Sequence, residues 1–125
     1  MVYRRNESFR YTFPEIVVIS GVLVSELEHL NHKEWKGHIV DISPQGMKVV
    51  SDLQLTETEI RQVQLESNFR IDANMIKGYA EIRWYKSYGG GQQLGLYFHE
   101  QAEVEGKIID DLKSRRRKEV LRSKA

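Results

Sequence analysis

Between Ile16 and His99 the sequence alternates short β-branched and aromatic stretches with clusters of turn-forming residues, and this punctuation limits the fold more than any other feature. Strands are expected at Ile16–Glu26, Trp35–Ile42, Gly46–Ser51, Ile60–Phe69, Asn74–Lys86 and Gln92–His99. The links between them are short: a polar segment around Glu28–Lys33, the turn Ser43-Pro44-Gln45-Gly46 and the hairpin loop Tyr88-Gly89-Gly90-Gly91. Open edges on so small a sheet would pair with other chains, so the six strands are expected to close into an antiparallel barrel.

After His99 the period changes. Val104, Ile108 and Leu112 recur every four residues in a run without Pro, and without Gly beyond Gly106, which predicts a C-terminal amphipathic helix. The stripe breaks at Ser114-Arg115-Arg116-Arg117-Lys118-Glu119 and resumes at Val120 and Leu121, so the last turns are expected to project into solvent. The fold class is therefore mainly β with a C-terminal α-helix. It divides into a basic arm (1–10), a barrel with the start of the helix (11–112) and a basic helical tail (113–125).

That division also follows the charge. The net charge of +1 conceals +2 on the arm, +6 on the tail and −7 on the body between them. An acidic body repels polyanions, so an anionic partner should be met at the termini or at a local arginine cluster. With 125 residues, 40% of them hydrophobic, the chain has the length and composition of one globular domain. No apolar run approaches the roughly 20 residues of a membrane span. The absence of cysteine removes disulfides and thiolate metal sites; with no signal peptide visible, a cytoplasmic location is expected.

Two features carry chemistry. The arm Arg4-Arg5-Asn6-Glu7-Ser8-Phe9-Arg10 offers planar, permanently charged forks that grip phosphate or stack on bases. The turn Asp41-Ile42-Ser43-Pro44-Gln45-Gly46 offers a carboxylate that accepts from a guanine's amino and ring N–H groups, and a hydroxyl. Its glycine suits a positive φ or a close backbone approach. Asp and Ser in such a turn also cap backbone groups, a role compatible with ligand contact.

Together these residues resemble the PilZ domain, a bacterial receptor for cyclic di-GMP. Asp41-x-Ser43-x-x-Gly46 matches the family's D/NxSxxG turn, and Gly78-Tyr79-Ala80-Glu81-Ile82-Arg83-Trp84 and Leu94-Gly95-Leu96-Tyr97-Phe98 look like its late strands. The arm departs from the family's RxxxR: from Arg5 to Arg10 the spacing is one residue longer. The resemblance implies a six-stranded PilZ-like barrel that binds cyclic di-GMP. Arg5 and Arg10 would engage phosphates and guanine faces with Arg4 as auxiliary, Asp41 and Ser43 would hold a guanine edge, Gly46 would close the turn and Trp84 would supply a wall. It further implies a non-catalytic module in motility or biofilm regulation, whose arm is ordered by the ligand and which signals through an unidentified protein effector. The lengthened arm keeps open a ligand-independent adaptor, and the projecting helix keeps open a homodimer.

Other readings are weaker. His29 and His32, near Glu26, Glu28 and His38, fall in a polar connection and are expected to be exposed rather than to hold a metal. No nucleophile elbow, P-loop or dinucleotide fingerprint is present, so neither catalysis nor a cofactor is expected. The Arg115–Lys118 cluster suits an acidic or anionic partner, but without interleaved aromatics it argues against nucleic acid. Near a helix C-terminus it equally suits a solvated face. Trp35, Trp84, Tyr79, Tyr85, Tyr97 and Phe98 are expected in or flanking the core rather than as stacking platforms, and only Trp84 is also a candidate for the site.

Overall fold

The computed structural model describes residues 10–124. Six strands, β1 (Tyr11–Ser25), β2 (Glu34–Ser43), β3 (Gly46–Ser51), β4 (Val63–Arg70), β5 (Met75–Tyr88) and β6 (Gly91–Tyr97), form a closed barrel in the order β1-β2-β3-β6-β5-β4. All pairings are antiparallel, and β1 closes the ring by pairing with both β2 and β4. Inward-facing Ile19, Leu23, Ile39, Ile42, Met47, Val49, Leu65, Phe69, Ile76 and Leu94 fill it. Helix α2 (Ala102–Lys124) follows β6 and packs Val104, Ile108 and Leu112 against the barrel, at the four-residue spacing read from the sequence.

Element boundaries differ from the sequence reading in two instructive places. Strand β1 starts five residues before Ile16, because Tyr11 and Phe13 already face inward; Pro14, Glu15 and Ile16 then break the alternation, and the β1–β2 register slips between Thr12 and Val17. Pro14, which has no N–H to give a ladder, sits inside that irregular stretch. The expected start of the fourth strand at Ile60 is wrong. Glu57–Ile60 is a single helical turn, α1, whose Thr56 Oγ1 accepts from the Glu59 amide while the Glu59 carboxylate accepts from the Thr56 amide. This reciprocal capping box satisfies two helix-terminal donors and holds Ile60 in the core until Val63 begins β4.

Helix α2 also departs from expectation, since its basic segment is anchored rather than projecting at Arg115 and Lys118. Arg115 donates to Tyr11 Oη (3.1 Å), to the Ile71 carbonyl (2.9 Å) and to Glu15, and its guanidinium lies over the Phe13 ring, 4.9 Å from the centroid. Lys118 Nζ reaches Asp72 at 2.9 Å, and Ser114 donates to the same carboxylate. Tyr11 Oη in turn donates to Glu119. Only beyond Glu119 does the helix present Val120 and Leu121 to solvent.

Candidate functional site

Two β-bulges determine which way the candidate residues point. In β2, Ile39 pairs with Val49 and Asp41 pairs with Lys48, so Val40 is an extra residue with no partner in β3. Strict alternation after inward-facing Ile39 would turn Asp41 into the barrel; the bulge turns it out, and Ile42 resumes the inner face. In β5 the same event falls at Arg83, between the pairs Ile82↔Leu96 and Trp84↔Gly95, and it turns Trp84 outward. Directly paired residues share a face, so Asp41, Lys48, Gly95 and Trp84 form one row across the outer wall of β2, β3, β6 and β5. At a spacing of about 4.8 Å per strand the row spans roughly 14 Å.

Asp41 anchors this row. Its Oδ1 accepts from Arg10 Nε at 3.1 Å and lies 3.0 Å from Arg10 Nη2, while Oδ2 lies 3.8 Å from Lys48 Nζ. The Asp41 side chain is only 12% exposed, whereas Arg10 is 45% and Lys48 36% exposed. The carboxylate is thus recessed beneath two cations that open to solvent. Ser43 and Gly46 pair across a two-residue turn, Pro44-Gln45, and Ser43 Oγ donates to the Gly46 carbonyl at 3.3 Å. The φ of Gly46 is not positive. A Cβ there would lie 2.4 Å from the Leu96 carbonyl oxygen, so glycine is required by the closeness of the β6 backbone rather than by the turn.

At the far end of the row the Trp84 indole lies over Gly95, where a Cβ would come within 2.1 Å of its Nε1. Glycine at position 95 lets the ring lie down on the sheet, and the ring remains 43% exposed. In the neighbouring row Tyr97 pairs with Gly46 on one side and Glu81 on the other, and the Arg83 guanidinium sits 3.8 Å from the Tyr97 ring centroid. The wall therefore carries a carboxylate, cations on either side of it and a flat aromatic face, all in a strand register that holds them in place.

Of the residues singled out in the sequence, Arg10, Asp41, Ser43, Gly46 and Trp84 gather on this wall; Arg4 and Arg5 lie outside the described residues. Lys48, Gly95 and the Arg83–Tyr97 stack were missed. Counting back from the turn pairs Ser43 with Gly46 and then Asp41 with Lys48, so Lys48 was within reach of the sequence. The bulges were not. Of the aromatics expected in or flanking the core, Trp35 and Phe98 are buried, with Trp35 Nε1 donating to the Glu66 carbonyl at 2.9 Å, Tyr97 is half-buried, and Tyr79, Trp84 and Tyr85 are exposed on β5. His29 and His32 are exposed, and His29 meets Glu59 at 2.8 Å. Among the described residues no helix is long and apolar enough to cross a membrane, and no group of three or more potential metal ligands converges.

The family model of the PilZ domain matches residues 4–114, which takes in most of the arm, the whole barrel and the first half of α2. Neither the curated proteins nor the solved structures include a match to the chain. With the Asp41-x-Ser43-x-x-Gly46 turn on the outer wall of a closed six-stranded barrel and the family match covering nearly its full length, the chain belongs to the PilZ domain family.

Proposed function

We propose that the chain is a cyclic di-GMP receptor whose ligand lies along the outer row from Asp41 to Trp84. PilZ is a ligand-binding and adaptor family rather than an enzyme family, and membership suggests a cyclic di-GMP-binding module. The observation that carries the reading is the recessed Asp41 carboxylate with Arg10 and Lys48 above it. Asp41 offers two acceptor oxygens to the N1–H and N2–H donors of a guanine, and Ser43 supplies a hydroxyl beside it. Arg10, displaced from Asp41 as the guanine edge takes its place, turns to a phosphate, and Lys48 contributes a second cation. Trp84 presents an aromatic face for a base.

In this mechanism the ligand exchanges an intramolecular ion pair for two intermolecular contacts, and Arg4 and Arg5 close over it as the arm becomes ordered. Part of the binding free energy is consumed in that ordering. The ordered arm forms the surface that a protein effector reads.

Isothermal titration with cyclic di-GMP, with GTP and cyclic di-AMP as controls, tests the reading. Saturable, guanine-selective binding is expected. Asp41→Ala should weaken it by about ten- to over a hundredfold, corresponding to about 1.5–3 kcal/mol for a lost charge-assisted contact, and Arg10→Ala should act in the same direction. Unchanged affinity in both variants would remove the site assignment. Absence of heat, together with absence of thermal stabilisation at saturating ligand, would instead identify a ligand-independent adaptor.

A further inference from the structure

The basic residues of α2 from Lys113 to Lys118 fall into two sets. Arg115 and Lys118 face the barrel and are neutralised by Glu15 and Asp72. Lys113, Arg116 and Arg117 are exposed and, among the described residues, have no carboxylate within 4.0 Å. They border a groove of about 830 Å³ between α2 and the Ser43–Gly46 turn, floored by Pro44, Ile109 and Leu112 and ending at the half-exposed Val120. Lys113 stands three and four residues before Arg116 and Arg117, a spacing at which like charges repel and weaken a helix. An apolar floor with unneutralised cations along its rim is complementary to an occupant that is apolar on one side and acidic on its flanks.

Charge and shape choose among occupants. The chain's own residues 1–10 carry +2, the same sign as the rim, and are a poor electrostatic match for it. A second α2 laid against this one would set cation on cation. A membrane surface is flat, whereas this floor is recessed between a helix and a turn. We infer that the groove docks an acidic amphipathic helix of a partner protein. Apolar side chains at i and i+4 rest on Ile109 and Val120, while carboxylates face Lys113, Arg116 and Arg117. Docking does not require the nucleotide, although Pro44 belongs to the turn that carries Ser43 and Gly46.

The test pans a phage-displayed library of random peptides of about 16 residues, roughly four helical turns, against the full chain without nucleotide. Selected peptides are then measured by fluorescence polarisation at low and high salt. Expected are net-acidic binders with apolar residues at helical spacing, affinity that falls with salt, and a loss of at least about tenfold in Arg116→Glu/Arg117→Glu. Peptides with their acids exchanged for lysine should regain binding to that variant, a rescue that a misfolded protein cannot give. Neutral or basic binders, or binders indifferent to the charge reversal, would overturn the inference. So would a groove engaged only by vesicles of phosphatidylcholine with a quarter phosphatidylglycerol. Sedimentation showing self-association abolished by the same double variant would assign the groove to a second copy of the chain and likewise overturn it.

Discussion

Arg10 and Tyr11 are adjacent in sequence, yet each closes a different cluster, and the contrast separates the proposed binding surface from the contacts that keep the chain folded. Arg10 reaches across to Asp41 from a largely solvent-exposed position. Tyr11 lies in the core and meets Arg115, whose side chain is only 14% exposed and whose donors serve Tyr11, Glu15 and the Ile71 carbonyl at once. The Arg10 end of the pair with Asp41 is open to water even though Asp41 is recessed, and Lys48 stands near the same carboxylate, so the contact is worth about 0–1 kcal/mol and a ligand that brings its own donors to Asp41 can replace it at little cost. A partly buried, multiply bonded arginine leaves several groups unsatisfied if it is removed, so its contacts are permanent ones.

The electrostatics agree. Arg115 holds the Glu15 carboxyl below the usual carboxylate range chiefly by its hydrogen bond, and Lys118 and Ser114 do the same to Asp72. Burial, reinforced by the bond to Glu119, raises the Tyr11 phenol. The most disruptive substitution is Arg115→Ala, which takes away three hydrogen-bond contacts and the stacking over Phe13. It should cost about 1.5–3 kcal/mol in urea unfolding. Cyclic di-GMP affinity, measured below the unfolding midpoint, should stay close to that of the parent. A loss below about 0.5 kcal/mol would place Arg115 with the ordinary surface charges.

The two clusters also differ in how far the sequence exposes them. Six strands, their order along the chain and the helix stripe at Val104, Ile108 and Leu112 follow from hydrophobic periodicity, which records burial directly. The Asp41–Gly46 turn is readable because its residue types are tied to local backbone geometry. The bulges at Val40 and Arg83 are not, since an extra residue in a strand has no composition of its own, and only the partner strand reveals that it is unpaired. The row from Asp41 to Trp84 therefore had candidate residues at both ends and no visible reason for them to share a face. Arg115 was hidden for a related reason. Inside the run Arg115-Arg116-Arg117-Lys118 charge alone does not distinguish the arginine that lies against Phe13 from those that border the groove; position around the helix axis does, and it needs the packed barrel as reference.

Acid should act on the helix cluster. Glu15 and Asp72 have folded pKa values below their ordinary ones, so their contribution to stability is complete above the ordinary carboxylate range and is lost as pH falls through the folded values. Thermal unfolding followed by helical circular dichroism should show the parent more stable than Glu15→Gln/Asp72→Asn at neutral pH. The difference should shrink below about pH 4 and close as both carboxyls protonate. A difference that stays constant through that window would mean the variant acts through packing rather than charge.

The smallest effect on stability is expected at a residue whose loss should nevertheless weaken binding. Arg10→Ala removes one exposed cation from Asp41 and leaves Lys48 at 3.8 Å from the same carboxylate, so unfolding in urea should change by about 0–1 kcal/mol. Thermal stabilisation by cyclic di-GMP, in contrast, should fall together with affinity, because in the proposed mechanism the guanidinium that leaves Asp41 turns to a ligand phosphate. A destabilisation as large as that of Arg115→Ala, with ligand stabilisation intact, would reverse the assignment. Arg10 would then be a structural residue that holds β1 to β2, and recognition would rest on Asp41, Lys48 and the Trp84 face without it.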